Sequence, residues 1–199
     1  MTGYIDAYFR DLQSALESVG CTDALGEKLT RDEAYARTLE MAVTAARAGS
    51  KQIFIGNGGS AAIASHMAID FSKNGGLPAI CFNDGAALTC LSNDFGYEEV
   101  FSQQIGFHAH KGDVLFAISS SGTSKNILKA VDAALAKGCR IVTLSGFAPG
   151  NPLRKMGEVN FHVAVNQYGI VEVAHTALIH AVVELKRVVP PLAQAQVAD

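Results

Sequence analysis

From residue 51 onward, short apolar runs alternate with segments of helical periodicity, and this alternation limits the chain to very few folds. The runs are Gln52 to Ile55, Leu77 to Phe82, Val114 to Ile118, Arg140 to Leu144 and Val159 to Val165. Each is nearly continuous in apolar residues, the pattern of a strand covered on both faces. Candidate helices lie between and after them, near 60–73, 86–92, 97–107, 124–137 and 170–188. Strands bounded by helices imply an α/β fold, a parallel sheet with helices on both faces. Hydrophobic residues at 49% and charged residues at 18% supply a core and exclude a disordered chain.

Residues 1–50 are expected to be a helical segment for packing or subunit contact. Tyr4, Ile5, Tyr8, Leu12, Leu16 and Val19 keep helical spacing up to Gly20. A second helix starts at Thr30-Arg31-Asp32-Glu33, a capping-box pattern, and runs to Gly49. Residues 51–188 then form the α/β domain, and the tail 189–199, with Pro190-Pro191 and an Ala/Gln-rich run, is expected to fray. A formal charge of −3 leaves no basic field for nucleic acid. No apolar run approaches the ~20 residues of a membrane helix, so no membrane partner is expected. The start MTGYIDAYFRDLQ lacks the apolar core of an export signal. Cys21, Cys81, Cys90 and Cys139 show no CxxC spacing, which excludes a cysteine zinc site and suits reduced thiols in the cytoplasm.

In open α/β sheets ligands collect beyond the carboxyl ends of the strands. Two such ends are unusual. The first strand runs into Gly56-Asn57-Gly58-Gly59-Ser60-Ala61-Ala62 and a helix follows. Glycines allow close backbone approach, and a helix start offers free N–H groups to an anion. The third strand runs into Ser119-Ser120-Ser121-Gly122-Thr123-Ser124, again opening a helix. Helix capping uses one hydroxyl, whereas this loop has five, a cradle suited to a phosphate monoester. The nineteen glycines therefore matter for where they fall. Gly56-x-Gly58-x-x-Ala61 also fits a dinucleotide fingerprint, but the expected acid is poorly placed, with Asp84 too late; neither loop is a Walker A motif.

His66 and Asp70 stand four residues apart on one helix face, and the last helix carries Glu172, His175 and His180. The eight-residue gap from Glu172 to His180 suggests projection to similar sides. Two helices each presenting a histidine and a carboxylate supply either N/O ligands for a divalent metal or an acid–base pair. The plainer alternatives are a surface His–Asp contact, and for His175, among Ala174, Leu178 and Ile179, a core histidine. His108, His110 and His162 are assigned nothing.

The run from Gly56 to Ala62, then His66 and Leu77-Pro78-Ala79, resembles the sugar isomerase (SIS) domain. Ala87-Leu88-Thr89, Ser92-Asn93-Asp94-Phe95-Gly96-Tyr97-Glu98, Val100-Phe101-Ser102, Gly112-Asp113-Val114-Leu115, Ile118 to Ser124, and Glu172 to His180 are similar to its phosphoheptose isomerase group. The resemblance implies a flavodoxin-like three-layer sandwich with five parallel strands, and a homotetramer with sites between subunits. It implies isomerisation of sedoheptulose 7-phosphate to a heptose 7-phosphate or a close relative. The serine loop would hold the phosphate through Ser119, Ser120, Ser121 and Ser124. Asn57, Gly58, Gly59, Ser60, Asn93 and Asp94 would contact the substrate.

The family's reacting quartet of His, Glu, Gln and His becomes His66, Asp70, Glu172 and His180 here. By the same resemblance these four hold a divalent metal, zinc, while Asp70 and His180 shuttle the proton and Glu172 assists. Asp for Glu shortens the reach by one methylene, and Glu for Gln adds charge and a hard ligand. The segment between Asp70 and Leu77 is shorter than the family's and has Lys73 or Asn74 where an arginine is expected. A non-catalytic SIS protein that binds a sugar phosphate or a partner, like the replication-initiator regulators, stands as the alternative.

Overall fold

The structure is a computed structural model that describes residues 3–188. The frayed-tail expectation for 189–199 lies outside these residues. Helix α1 (Tyr4–Glu17) leads to a short hairpin, β1 (Gly20–Asp23) and β2 (Lys28–Leu29), and then to α2 (Arg31–Arg47). The capping box at the start of α2 forms: the Thr30 hydroxyl accepts the Glu33 N–H at 3.2 Å, and the Thr30 N–H donates to the Glu33 carboxylate at 2.8 Å. Next come β3 (Gln52–Gly56), α3 (Gly59–Lys73), β4 (Ala79–Cys81) and α4 (Gly85–Phe95). A 3-10 turn at Tyr97–Glu99 precedes α5 (Val100–His108), β5 (Val114–Ser119) and α6 (Lys125–Ala136). The described residues finish with β6 (Arg140–Gly146), β7 (Val159–Val163) and α7 (Tyr168–Val188).

The sheet order is β2-β1-β7-β6-β5-β3-β4. The five expected strands, β3 to β7, pair in parallel, while β1 runs antiparallel to both β7 and β2. The sheet thus has seven strands rather than five, and the first fifty residues are not purely helical. Gly-Cys-Thr-Asp holds one strongly apolar residue, too little to signal a strand. It is held instead by Asn160, whose amide donates to the Thr22 and Asp23 carbonyls at 3.3 and 3.1 Å. β4 is shorter than the run Leu77 to Phe82, and beyond it Asp84 caps α4, accepting the Ala87 N–H at 2.8 Å. That role also occupies the acid considered for a dinucleotide ribose.

Alternate strand residues feed two cores. Phe54, Phe71 and Phe116 pack together, with ring centroids 4.6–5.3 Å apart, under α2, α3 and α7. Ile53, Ile55, Leu115 and Ile141 face α5 and α6. α7 is, by length and composition, long and apolar enough to cross a bilayer, contrary to the expectation for this chain. A core helix needs the same apolar content: Ile170, Val171, Ala174, Leu178, Ile179, Val182 and Val183 are buried against the sheet.

In chain order the parallel strands lie 2-1-3-4-5, so the winding reverses between β3 and β5. A crevice beyond the carboxyl ends of the strands opens at such a reversal. The glycine-rich and serine-rich loops leave from these two strands.

Candidate active site at the sheet reversal

The glycine loop is compact because backbone fills the space that side chains would need. A Cβ at Gly56 would overlap the Ser60 backbone, and one at Gly59 would overlap the Glu172 carboxylate. Gly58, at φ +53°, ends the loop and starts α3. Across the crevice, the Ser119 hydroxyl accepts the Gly122 N–H at 3.2 Å and donates to the Ser124 hydroxyl at 3.3 Å. Gly122 sits at φ +65° with the Asn151 side chain where a Cβ would be. Asn151, buried, ties this loop to the end of β6 by donating to the Gly146 and Ala148 carbonyls at 3.2 and 2.9 Å. The loops are joined by a reciprocal amide pair between Asn57 and Asn126, at 2.9 and 2.8 Å.

Between the loops lies a cavity of about 120 Å³, lined by Asn57, Ser60, Ser119, Ser120, Ser121 and Ser124, with Tyr168 and Glu172 of α7 on its far side. The Ser120 hydroxyl is buried and has no hydrogen-bond partner among the described residues. Among the described residues, no lysine or arginine lines the cavity. Its donors are hydroxyls and amides at the starts of α3 and α6, helix ends that favour an anion. Asn93 and Asp94 do not line it; they are exposed near the end of α4 and bond to each other at 2.9 Å.

The second cluster lies further along α7. His66 Nε2 is 3.2 Å from His180 Nε2, and Asp70 Oδ2 is 3.1 Å from His180 Nδ1 and 3.9 Å from His66 Nε2. Asn74, in the segment where the family has arginine, donates to the other Asp70 oxygen at 2.7 Å. An Asp70 carboxylate accepting Nδ1–H leaves His180 Nε2 unprotonated, with its lone pair beside His66 Nε2. Potential ligand atoms of His66, Asp70 and His180 lie within 4.8 Å of one another. Two imidazole nitrogens on one tetrahedral zinc, at about 2.0–2.1 Å each, stand about 3.3 Å apart, so the trio suits such an ion.

Glu172 stands outside the trio. Eight residues at 100° each accumulate to a turn of about 80° with a rise of about 12 Å. Spacing therefore placed it on a similar side to His180, whereas it faces Gly59 and the cavity. His175 is the core histidine of the plainer reading: it is fully buried and donates from Nε2 to the Ser145 carbonyl at 3.0 Å. Sequence reasoning missed Asn126, Tyr168 and Asn151. Asn126 follows the serine loop within two residues of Ser124, a signal that was available; nothing local marked Tyr168 or Asn151.

A sequence model of the SIS domain family matches residues 22–146. The chain belongs to the SIS domain family. It is 34% identical over 194 residues to a phosphoheptose isomerase of Sodalis glossinidius (strain morsitans), covering 92% of this chain and 95% of the relative. It is 37% identical over 161 residues to the phosphoheptose isomerase of Serratia proteamaculans (strain 568), covering 77% and 82%. A solved structure of phosphoheptose isomerase from Neisseria gonorrhoeae superposes with a TM-score of 0.81 at 30% identity, covering 93% of this chain and 97% of the other.

Proposed function

We propose that the chain is an aldose–ketose isomerase acting on a phosphorylated sugar, sedoheptulose 7-phosphate or a close relative. The observation that carries this reading is the cradle at the sheet reversal: a cavity rich in hydroxyls, without a cation, holding the unpaired Ser120 hydroxyl. Its relatives named phosphoheptose isomerase support the choice of sugar. A volume of about 120 Å³ suits a phosphate group rather than a whole sugar phosphate. The sugar then extends from the cradle along α7, past Glu172 and toward His180.

Isomerisation moves a proton between neighbouring carbons through an enediol. With no ion on it, His180 Nε2, beside His66 Nε2, is the ring nitrogen that takes the proton from the carbon beside the carbonyl. Asp70 holds the opposite ring nitrogen and stabilises the imidazolium that forms. The proton returns to the neighbouring carbon as the former hydroxyl becomes the carbonyl. Glu172, beside Gly59, assists by exchanging protons with sugar hydroxyls. His66, His180 and Asp70 are the residues that would hold a divalent ion, zinc by the resemblance; His180 Nε2 would then be a ligand and not the base. Such an ion supplies Lewis-acid polarisation of the carbonyl and hydroxyl oxygens.

The His66 and His180 side chains are 54% and 36% exposed in the single chain. We assign the missing wall to neighbouring copies in a homotetramer, an arrangement in which Asn93 and Asp94 reach the sugar. An apolar groove of about 730 Å³ between α2 and α7, lined by Tyr35, Leu39, Val43 and Leu185, offers a surface for such packing. Four unpaired cysteines suit the cytoplasm. The test is incubation with sedoheptulose 7-phosphate in heavy water, with zinc supplied. Deuterium entering at the carbon next to the carbonyl, with formation of the aldose, is the expected result. Binding without exchange across a panel of ketose and aldose phosphates would leave a non-catalytic sugar-phosphate binder.

A further inference from the structure

We infer that Tyr97 is a positioning residue for the anion site: its hydroxyl holds the Asn57 amide so that the one N–H left on Asn57 is presented to the phosphate. The inference rests on the reading of the serine cavity as the phosphate site, and it concerns a residue outside that cavity's lining.

Asn57 has four hydrogen-bonding places, and three are filled. Its Oδ1 accepts from Asn126 Nδ2 at 2.8 Å and from the Tyr97 hydroxyl at 2.9 Å, which uses both lone pairs. Its Nδ2 donates one hydrogen to Asn126 Oδ1 at 2.9 Å. The second hydrogen has no protein partner among the described residues, and Asn57 lines the cavity. All that Asn57 has left to offer is a donor, which matches a phosphate oxygen. A reciprocal amide pair is equally satisfied when both amides turn over, and then an oxygen would meet the anion. A phenolic hydroxyl donates better than it accepts, so Tyr97 favours the orientation that presents N–H.

Tyr97 is itself held in register. It sits on the 3-10 turn Tyr97–Glu99, and Lys129 of α6 binds the next residue, Glu98, at 2.7 Å, as well as Glu99. Asn126 lies one helical turn before Lys129 on α6, so both groups touching Asn57 Oδ1 are referenced to one helix. The Tyr97 side chain packs little, being 57% exposed, and loss of its hydroxyl leaves the fold intact.

The experiment compares wild type with Tyr97→Phe, by turnover of sedoheptulose 7-phosphate and by calorimetric binding of inorganic phosphate. The expected result is a KM raised about three- to tenfold, the range of one neutral hydrogen bond. The phosphate Kd rises by a similar factor, while kcat stays within about twofold and the melting temperature is unchanged. Wild-type KM and phosphate Kd in the variant overturn the inference. So does a joint fall in kcat and melting temperature with phosphate affinity kept, which is a structural role. If wild type binds phosphate but turns nothing over, the isomerase reading fails, and the two phosphate affinities still decide the role of Tyr97. If wild type does not bind phosphate, both fall.

Discussion

The two ends of α7 face two differently built regions. At its first turns, Tyr168 and Glu172 meet a cradle braced from three sides: Asn57 to Asn126, Asn151 to the β6 end, and Gly122 wrapped on Asn151. Two turns later, His180 meets His66 and Asp70, a cluster of three side chains with His66 half in water. Buried amide side chains set the first region within one chain, so the proposed anion would bind there with little reordering. The second is set by side-chain contacts between α3 and α7 and is left open. An anchor can be completed by a single chain; chemistry that must exclude water needs something to close over it.

The comparison breaks most sharply at the trio. His180→Gln is expected to lower kcat by about 10²–10⁴, the range of one acid–base group, with little change in KM. A variant retaining a tenth of wild-type kcat would remove His180 from the proton path. Asp70→Asn keeps the shape but loses the charge behind His180, and a smaller fall of about 10–100-fold is expected. An equal loss in both variants would mean that Asp70 does more than orient His180.

The cradle gives the opposite signature. Ser120→Ala removes a buried hydroxyl that has no partner among the described residues. Most buried hydroxyls cost stability when deleted, because a partner is left unpaired. Here the melting temperature should hold or rise, while KM increases roughly tenfold or more, the value of a bond to a charged group. Lost stability together with unchanged KM would show that Ser120 serves the fold instead.

The fold and half of the site were legible in the sequence, for a physical reason that also explains the misses. Buried parallel strands are written in continuous apolar runs, and ligand loops in glycines and hydroxyls at helix starts; both are local signals. The β1–β2 hairpin is held by Asn160, far along the chain, and leaves no local trace. The wedge of Asn151 against Gly122 is equally non-local, and so is the hydrogen bond of Tyr97 to Asn57. Helical spacing paired His66 with Asp70 correctly, at four residues, but over eight residues the rotation separated Glu172 from His180. Spacing is a sound guide within one turn and a poor one beyond two.

The last expected effect is on stability rather than turnover, at His175, which points inward from α7. Burial pushes its pKa down from about 6.5 to about 4; the Ser145 carbonyl opposes this, and the neighbouring His162 adds to it. His162, on β7, is itself held below the usual histidine range, first by burial and then by Arg154. The folded chain therefore keeps His175 neutral where the unfolded chain takes up a proton. Stability is unaffected above about pH 7 and falls as pH drops from 6.5 toward 4, by at most on the order of 3 kcal/mol for His175. His175→Gln keeps a donor for Ser145 and cannot titrate, so its stability, followed by urea midpoints across that range, should fall less steeply. Parallel curves for the two proteins would mean that the acid sensitivity arises elsewhere, with His162 the next group to replace. A flatter curve would assign the acid sensitivity to the neutral imidazole that α7 holds in the core.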